Sequence, residues 1–365
     1  MIKRVMRPPN DVAHEPPANT VTLSGPAPAV LWEAPQVMVV GAVRGGVGKT
    51  TVASQLAACL SKLGFAIRAV DADVKQEHLL HRGQNVYLTR GRAEVLFYGS
   101  ARRILPAEAV SYCVLEVTAS EMAQNGAAVT LAIEDMWAAT SSTEESDRAT
   151  RIVDTPAGSI TEIISDFRDS QAWLTGRPIP RFVLPIMPDK DAFLETIGTI
   201  RQLIELRSSL PPALASELKV FVVVNRLRDL RRNVTNYMAL SDSTAGATFF
   251  ALLAQNGDWI KTVDMPDLVS PLCVAILQHH IDPLTAISMA MAGQLEAAIG
   301  HQLTADLIAR DLGGLVAATT TFIDDASATG LLPPGGQLAA LIAKSVVGVR
   351  PLLNRTRLTQ QIWED

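Results

Sequence analysis

The stretch from Val37 to Asp73 limits the fold more than any other part of the chain, because it sets a buried strand, a glycine turn, a helix and a second strand in immediate succession. Val37 to Val40 is an uninterrupted apolar run, the form of a parallel strand covered on both faces. Gly45, Gly46 and Gly48 follow directly, and Val52, Leu56 and Leu60 then recur at every fourth position with Ala53, Ala57 and Leu63 beside them. That spacing predicts a helix over Thr50–Leu63, closed by Gly64 as a left-handed cap. Phe65 to Val70 reads as the next strand, and its end delivers Asp71 and Asp73.

The glycine turn carries a chemistry of its own. Glycines let successive backbone N–H groups face inward around a polyphosphate, and the helix that starts near Lys49 adds its positive end at the same place. The run fits G-x-x-x-x-G-K-[ST] except at its first glycine, where Val43 stands. Gly45, Gly46, Val47, Gly48, Lys49, Thr50 and Thr51 form the candidate cradle, with Lys49 reaching the β and γ phosphates and Thr50 offering a hydroxyl to Mg²⁺. A second signal supports the first. Arg151 to Gly158, R-I-V-D-T-P-A-G, is an apolar strand ending in an acid and a turn, so Asp154 is a candidate to hold the same Mg²⁺.

At V-R-G-G-V-G-K-T-T the chain resembles the ParA/MinD superfamily of P-loop ATPases, whose deviant Walker A loop is usually written x-K-G-G-x-x-K-[ST]. The resemblance implies ATP and Mg²⁺ as ligands, an ATP-dependent homodimer, slow hydrolysis stimulated by an activating partner protein, and a cargo such as plasmid or chromosomal DNA. Arg44 stands where the family's first lysine crosses the dimer to the partner's phosphates. Arginine keeps the charge and adds a planar fork, a different geometry from lysine. By the same resemblance Asp73 positions the attacking water, with Asp71 behind it, Asn225 reads adenine from a strand end, and Pro266 lies in the loop that lines the base. An accessory ATPase of a cellulose-synthesis, secretion or conjugation machine, or an ATP-binding scaffold with little hydrolysis, is the alternative reading.

The rest of the chain sets the frame. The expected fold is an α/β P-loop domain over residues 36–283, with a mostly parallel sheet flanked by helices. A Pro-rich, disordered tail over 1–35 precedes it, and a helical extension over 284–365 follows. Strands are expected at Arg181–Ile186, Lys219–Val224 and Trp259–Val263, with one helix from about Lys190 to Arg207. Beyond Leu268, long helices are expected over Ile281–Ile299 and Gln302–Phe322, and another over Leu338–Val349. Residues 84–146 show apolar pieces, among them Val95–Tyr98 and Tyr112–Val117, but no chemistry.

Composition excludes several classes. A net charge of −5 argues against a surface coated for nucleic acid, although Arg226, Arg228, Arg231 and Arg232 form a candidate patch for non-specific DNA or an acidic partner. Three cysteines without C-x-x-C spacing read as reduced thiols of a cytoplasmic protein. His78 and His81 lack a third metal ligand. No run reaches the roughly 18 apolar residues of a membrane span. The Arg-bearing end over Val346–Trp363 suits packing on the core or a dimer partner better than peripheral membrane contact.

Overall fold

The computed structural model describes residues 37–63, 65, 67–71, 93–98, 110–115, 150–187, 189–225, 243–266, 270–279, 281–300 and 303–334. Its strands are β1 (Val37–Val40), β2 (Ile67–Asp71), β3 (Ala93–Tyr98), β4 (Val110–Leu115), β5 (Thr150–Asp154), β6 (Arg181–Ile186), β7 (Lys219–Asn225) and β8 (Ile260–Met265). They form one sheet in the order β4-β3-β2-β5-β1-β6-β7-β8, and every pairing is parallel. The pieces of the unreadable stretch 84–146 that fall among the described residues are thus strands β3 and β4, which carry the sheet outward from β2.

Continuous apolar runs became central strands because both faces are covered. Along β1, Met38 and Val40 enter one core cluster while Val37 and Val39 enter the other. In β7, Phe221 and Val223 face the first cluster and Val220, Val222 and Val224 the second. Alternate side chains of one strand point to opposite faces, so a strand with a core on each side is apolar at successive positions.

On the first face lie α1 (Lys49–Lys62) and the helices after β8: α6 (Pro271–Gln278), α7 (Pro283–Met291), α8 (Leu295–Ala298) and α9 (Ala305–Thr329). The second face is covered by α2 (Ser159–Asp169), α3 (Lys190–Ser209) and α5 (Thr244–Gln255), with the short α4 (Pro212–Glu217) beside them. The long helix expected over Ile281–Ile299 is instead two. Asp282 caps α7 by accepting from the Thr285 N–H at 2.9 Å, and Gly293 turns the chain at φ 68° before α8. The second expected helix starts later and runs further, between the Thr304 cap and Gly330 at φ 82°.

The end of α1 is closed by two backbone bonds, Leu63 N–H to Cys59 C=O and Phe65 N–H to Leu60 C=O, each 3.1 Å. Phe65 therefore belongs to the turn and β2 starts at Ile67; Gly64 itself lies outside the described residues. Cys59 is fully buried on α1, and burial first, then the Asp282 carboxylate, push its thiol well up, so it stays a neutral packing group. Among the described residues no helix is long and apolar enough to cross a membrane. The tail over 1–35, Leu338–Val349 and the Arg-bearing C-terminal segment also lie outside them.

Candidate nucleotide-binding site

Because all eight strands run the same way, the C-terminal ends of β1, β5, β7 and β8 lie along one edge of the sheet, where open α/β sheets hold their ligands. Val40 is in register with Asp154, and Asp154 with Asp71 on the other side. Residue 154 therefore sits next to the point where the chain leaves β1 for the glycine turn. Asp154 is 1% exposed.

The turn is held from several sides. The Gly41 N–H donates to the Val183 carbonyl of β6 at 3.0 Å, and Gly158, after β5, donates to the Ala42 carbonyl at 3.0 Å. Thr155 binds the Val40 carbonyl twice, through its N–H at 3.1 Å and its hydroxyl at 3.0 Å. The turn also lies flat on α2, since a Cβ at Gly41 would fall 2.7 Å from Ile160 Cδ1. The glycine displaced from residue 43 by Val43 is thus required two positions earlier, for packing.

Gly46 and Gly48 have φ of 75° and 93°, in the region open to glycine, and Val47 between them is buried. Successive residues of this kind make a backbone anion cradle. Lys49, the first residue of α1, is only 8% exposed and places its positive side chain at a helix N-terminus. Thr50 is half-buried beside it. Hydroxyl and carboxylate oxygens suit Mg²⁺, which is commonly held by one or two protein oxygens together with substrate phosphates. Among the described residues no cluster of three His, Cys, Asp or Glu side chains forms a self-sufficient metal cage.

Asn225 ends β7 fully buried, in register with Met265, and Pro266 follows Met265 at the adjacent strand end. The Asn225 Nδ2 donates to the Val47 carbonyl at 2.9 Å. Pro266 lines a small open cleft with Gln55 and Phe322. Two further candidates, Asp73 and the patch of Arg226, Arg228, Arg231 and Arg232, lie outside the described residues.

Arg44 stands half-exposed in the turn, where its Nη1 donates to Asp189 Oδ1 at 3.1 Å. The same Oδ1 accepts from the Ala192 N–H at 2.9 Å and so caps α3. Asp189 carries no signal in the sequence beyond its place at the start of the α3 pattern. Replacing it with alanine is expected to cost about 1 kcal/mol through the lost cap, whereas D189N keeps the cap oxygen and stays near wild type. Urea denaturation of the two variants checks this.

A parallel α/β sheet with an anion-cradling turn between a central strand and a helix, and a buried carboxylate on the neighbouring strand end, defines a P-loop nucleotide-binding protein. The chain belongs to the CobQ/CobB/MinD/ParA nucleotide binding domain family, whose model matches residues 38–263.

A 70-residue stretch is 31% identical to the septum site-determining protein minD homolog, chloroplastic, of Arabidopsis thaliana. The match spans 19% of this chain and 22% of that relative's length. Solved structures similar to this one include apo McdA from Cyanthece, at 15% identity and TM-score 0.38, covering 72% of this chain and 96% of that one. Another is the septum site-determining protein MinD complexed with Mg-ADP from Pyrococcus horikoshii OT3, at 15% identity and TM-score 0.39, covering 72% of this chain and 93% of that one.

Proposed function

We propose that this chain is a slow, partner-stimulated, Mg²⁺-dependent ATPase that dimerises on ATP and positions or partitions a cargo, plasmid or chromosomal DNA foremost, in the cytoplasm. The observation that carries the reading is the turn itself: two positive-φ glycines flank buried Val47 and lead straight into a buried Lys49 at a helix N-terminus. In this reading the ATPase domain is residues 36–283, with 284–365 as its helical extension.

Backbone N–H groups of residues 45–51 bind the phosphates, and the Lys49 ammonium offsets the charge that develops on them. Thr50 and Asp154 hold Mg²⁺, which when bound neutralises phosphate oxygens. Asp73 orients the attacking water, while Asn225 and Pro266 border the base. Arg44 acts across the dimer only after leaving Asp189, a half-exposed pair of the kind that contributes under about 1 kcal/mol and so yields readily to a phosphate. The Arg226 to Arg232 cluster holds DNA through its backbone without reading sequence.

Calorimetry and size analysis of the purified chain test this. Expected are heat on adding Mg-ATP, a doubled mass with a non-hydrolysable ATP analogue but not with ADP, and DNA retention that falls steeply with salt. Absence of heat removes the reading. Heat and doubling without phosphate release move the assignment to a nucleotide-binding scaffold.

A further inference from the structure

The resemblance gives Asn225 one task, reading the base. Its side chain is already at work elsewhere. Nδ2 lies 2.9 Å from the Val47 carbonyl across 178 residues of sequence, in a fully buried position. A carbonyl oxygen cannot donate, so the amide orientation is set: the nitrogen faces Val47. The other atom, Oδ1, is buried with no hydrogen-bond partner among the described residues. Leaving a buried acceptor unmade is costly, and sites that keep one commonly use it for a ligand.

The carbonyl that Asn225 holds has a particular consequence. In a planar trans peptide the C=O of one residue and the N–H of the next point in opposite directions. Fixing the Val47 carbonyl toward β7 therefore aims the Gly48 N–H away from it. Gly48, at φ 93°, can rotate freely where another residue would resist, so its peptide needs an outside anchor. The first half of the turn has such anchors in Val183, Thr155 and Gly158, and Asn225 supplies one to the second half. Unanchored, the Val47 carbonyl could swing into the cradle, where its negative end would repel phosphate.

We propose that Asn225 is a positioning residue of the anion cradle: its Nδ2 locks the Val47–Gly48 peptide with the N–H toward the phosphates, and its free Oδ1 accepts from the ligand's base. Base and phosphate recognition then share one side chain. The inference rests on the nucleotide reading above, but its first half makes a claim about phosphate binding that base reading alone does not.

Two variants, N225A and N225L, test it, the leucine keeping the side chain's shape while removing both polar atoms. Hydrogen exchange of the ligand-free protein is measured over residues 43–49, with residues 220–224 of β7 as the control for an intact fold. Affinity for inorganic tripolyphosphate, which has no base, is measured beside ATP. Expected are exchange over 43–49 faster by about tenfold with β7 unchanged, and tripolyphosphate binding weaker by about five- to tenfold. Unchanged exchange over 43–49, or tripolyphosphate binding equal to wild type while ATP weakens, overturns the proposal. Faster exchange in a protein whose wild type binds neither ligand upholds the anchor and removes the nucleotide reading alone.

Discussion

Replacing Lys49 with alanine is expected to reduce ATP turnover to background while leaving the ligand-free fold intact. Lys49 is 8% exposed at the first position of α1, directly after the positive-φ glycines Gly46 and Gly48. A charge placed there interacts with phosphate through a low-dielectric medium and strengthens as negative charge develops on the transferring group. Removal of a single donor of this kind typically lowers the rate by about 10²–10³, and a full positive charge at the phosphates lies at the upper end. The folded protein gains little from the same ammonium without its anion, since a buried charge must be desolvated. The free variant should therefore melt with wild type. Addition of Mg-ATP should raise the melting temperature of wild type and leave that of K49A unmoved. Phosphate release retained at more than a tenth of wild type would remove Lys49 from the machinery.

Much of this site is local in sequence, and that part was legible. The turn from Gly45 to Thr51 lies in one run, β1 and β7 announce themselves because burial on both faces favours an apolar run, and β5 shows through its terminal acid and the Pro/Gly turn after it. The features that were not legible are the ones made by distant residues. Nothing near Gly41 says that Ile160 will press against it, and nothing near Asp189 says that Arg44 will arrive from 145 residues away. Asn225 was readable as a strand end, but its bond to Val47 joins residues 178 positions apart. The helices after β8 failed for a different reason. α6 and α7 are apolar on nearly every side, so periodicity could not show where one ends, and the true boundaries of these helices rest on single residues: the caps Asp282 and Thr304 and the turns at Gly293 and Gly330.

Those helices bear on the site through their packing, and Phe322→Ala is expected to make this plain. Phe322 is 1% exposed on α9 and shares one core cluster with Met38 and Val40 of β1, Leu56 of α1 and Met265 of β8. It also lines the cleft beside Pro266 and Gln55. Two aspartates of α9 fasten the same face: Asp325 accepts from the Asp264 N–H of β8 at 3.2 Å, and Asp311 from the Leu272 N–H at the start of α6 at 3.3 Å. Since β8 is the last strand in the sheet order, α9 is what meets an edge that would otherwise offer free backbone groups. Removing the ring should cost about 3–5 kcal/mol, a large share of the 5–15 kcal/mol that holds a typical domain. Because the cavity opens behind α1, whose first turn carries Lys49, the loss should spread: one cooperative transition, shifted down, with protection by Mg-ATP reduced in step. Two separate transitions, with the nucleotide-protected one unmoved, would show instead that the helices after β8 fold apart from the sheet and leave the site to stand without them.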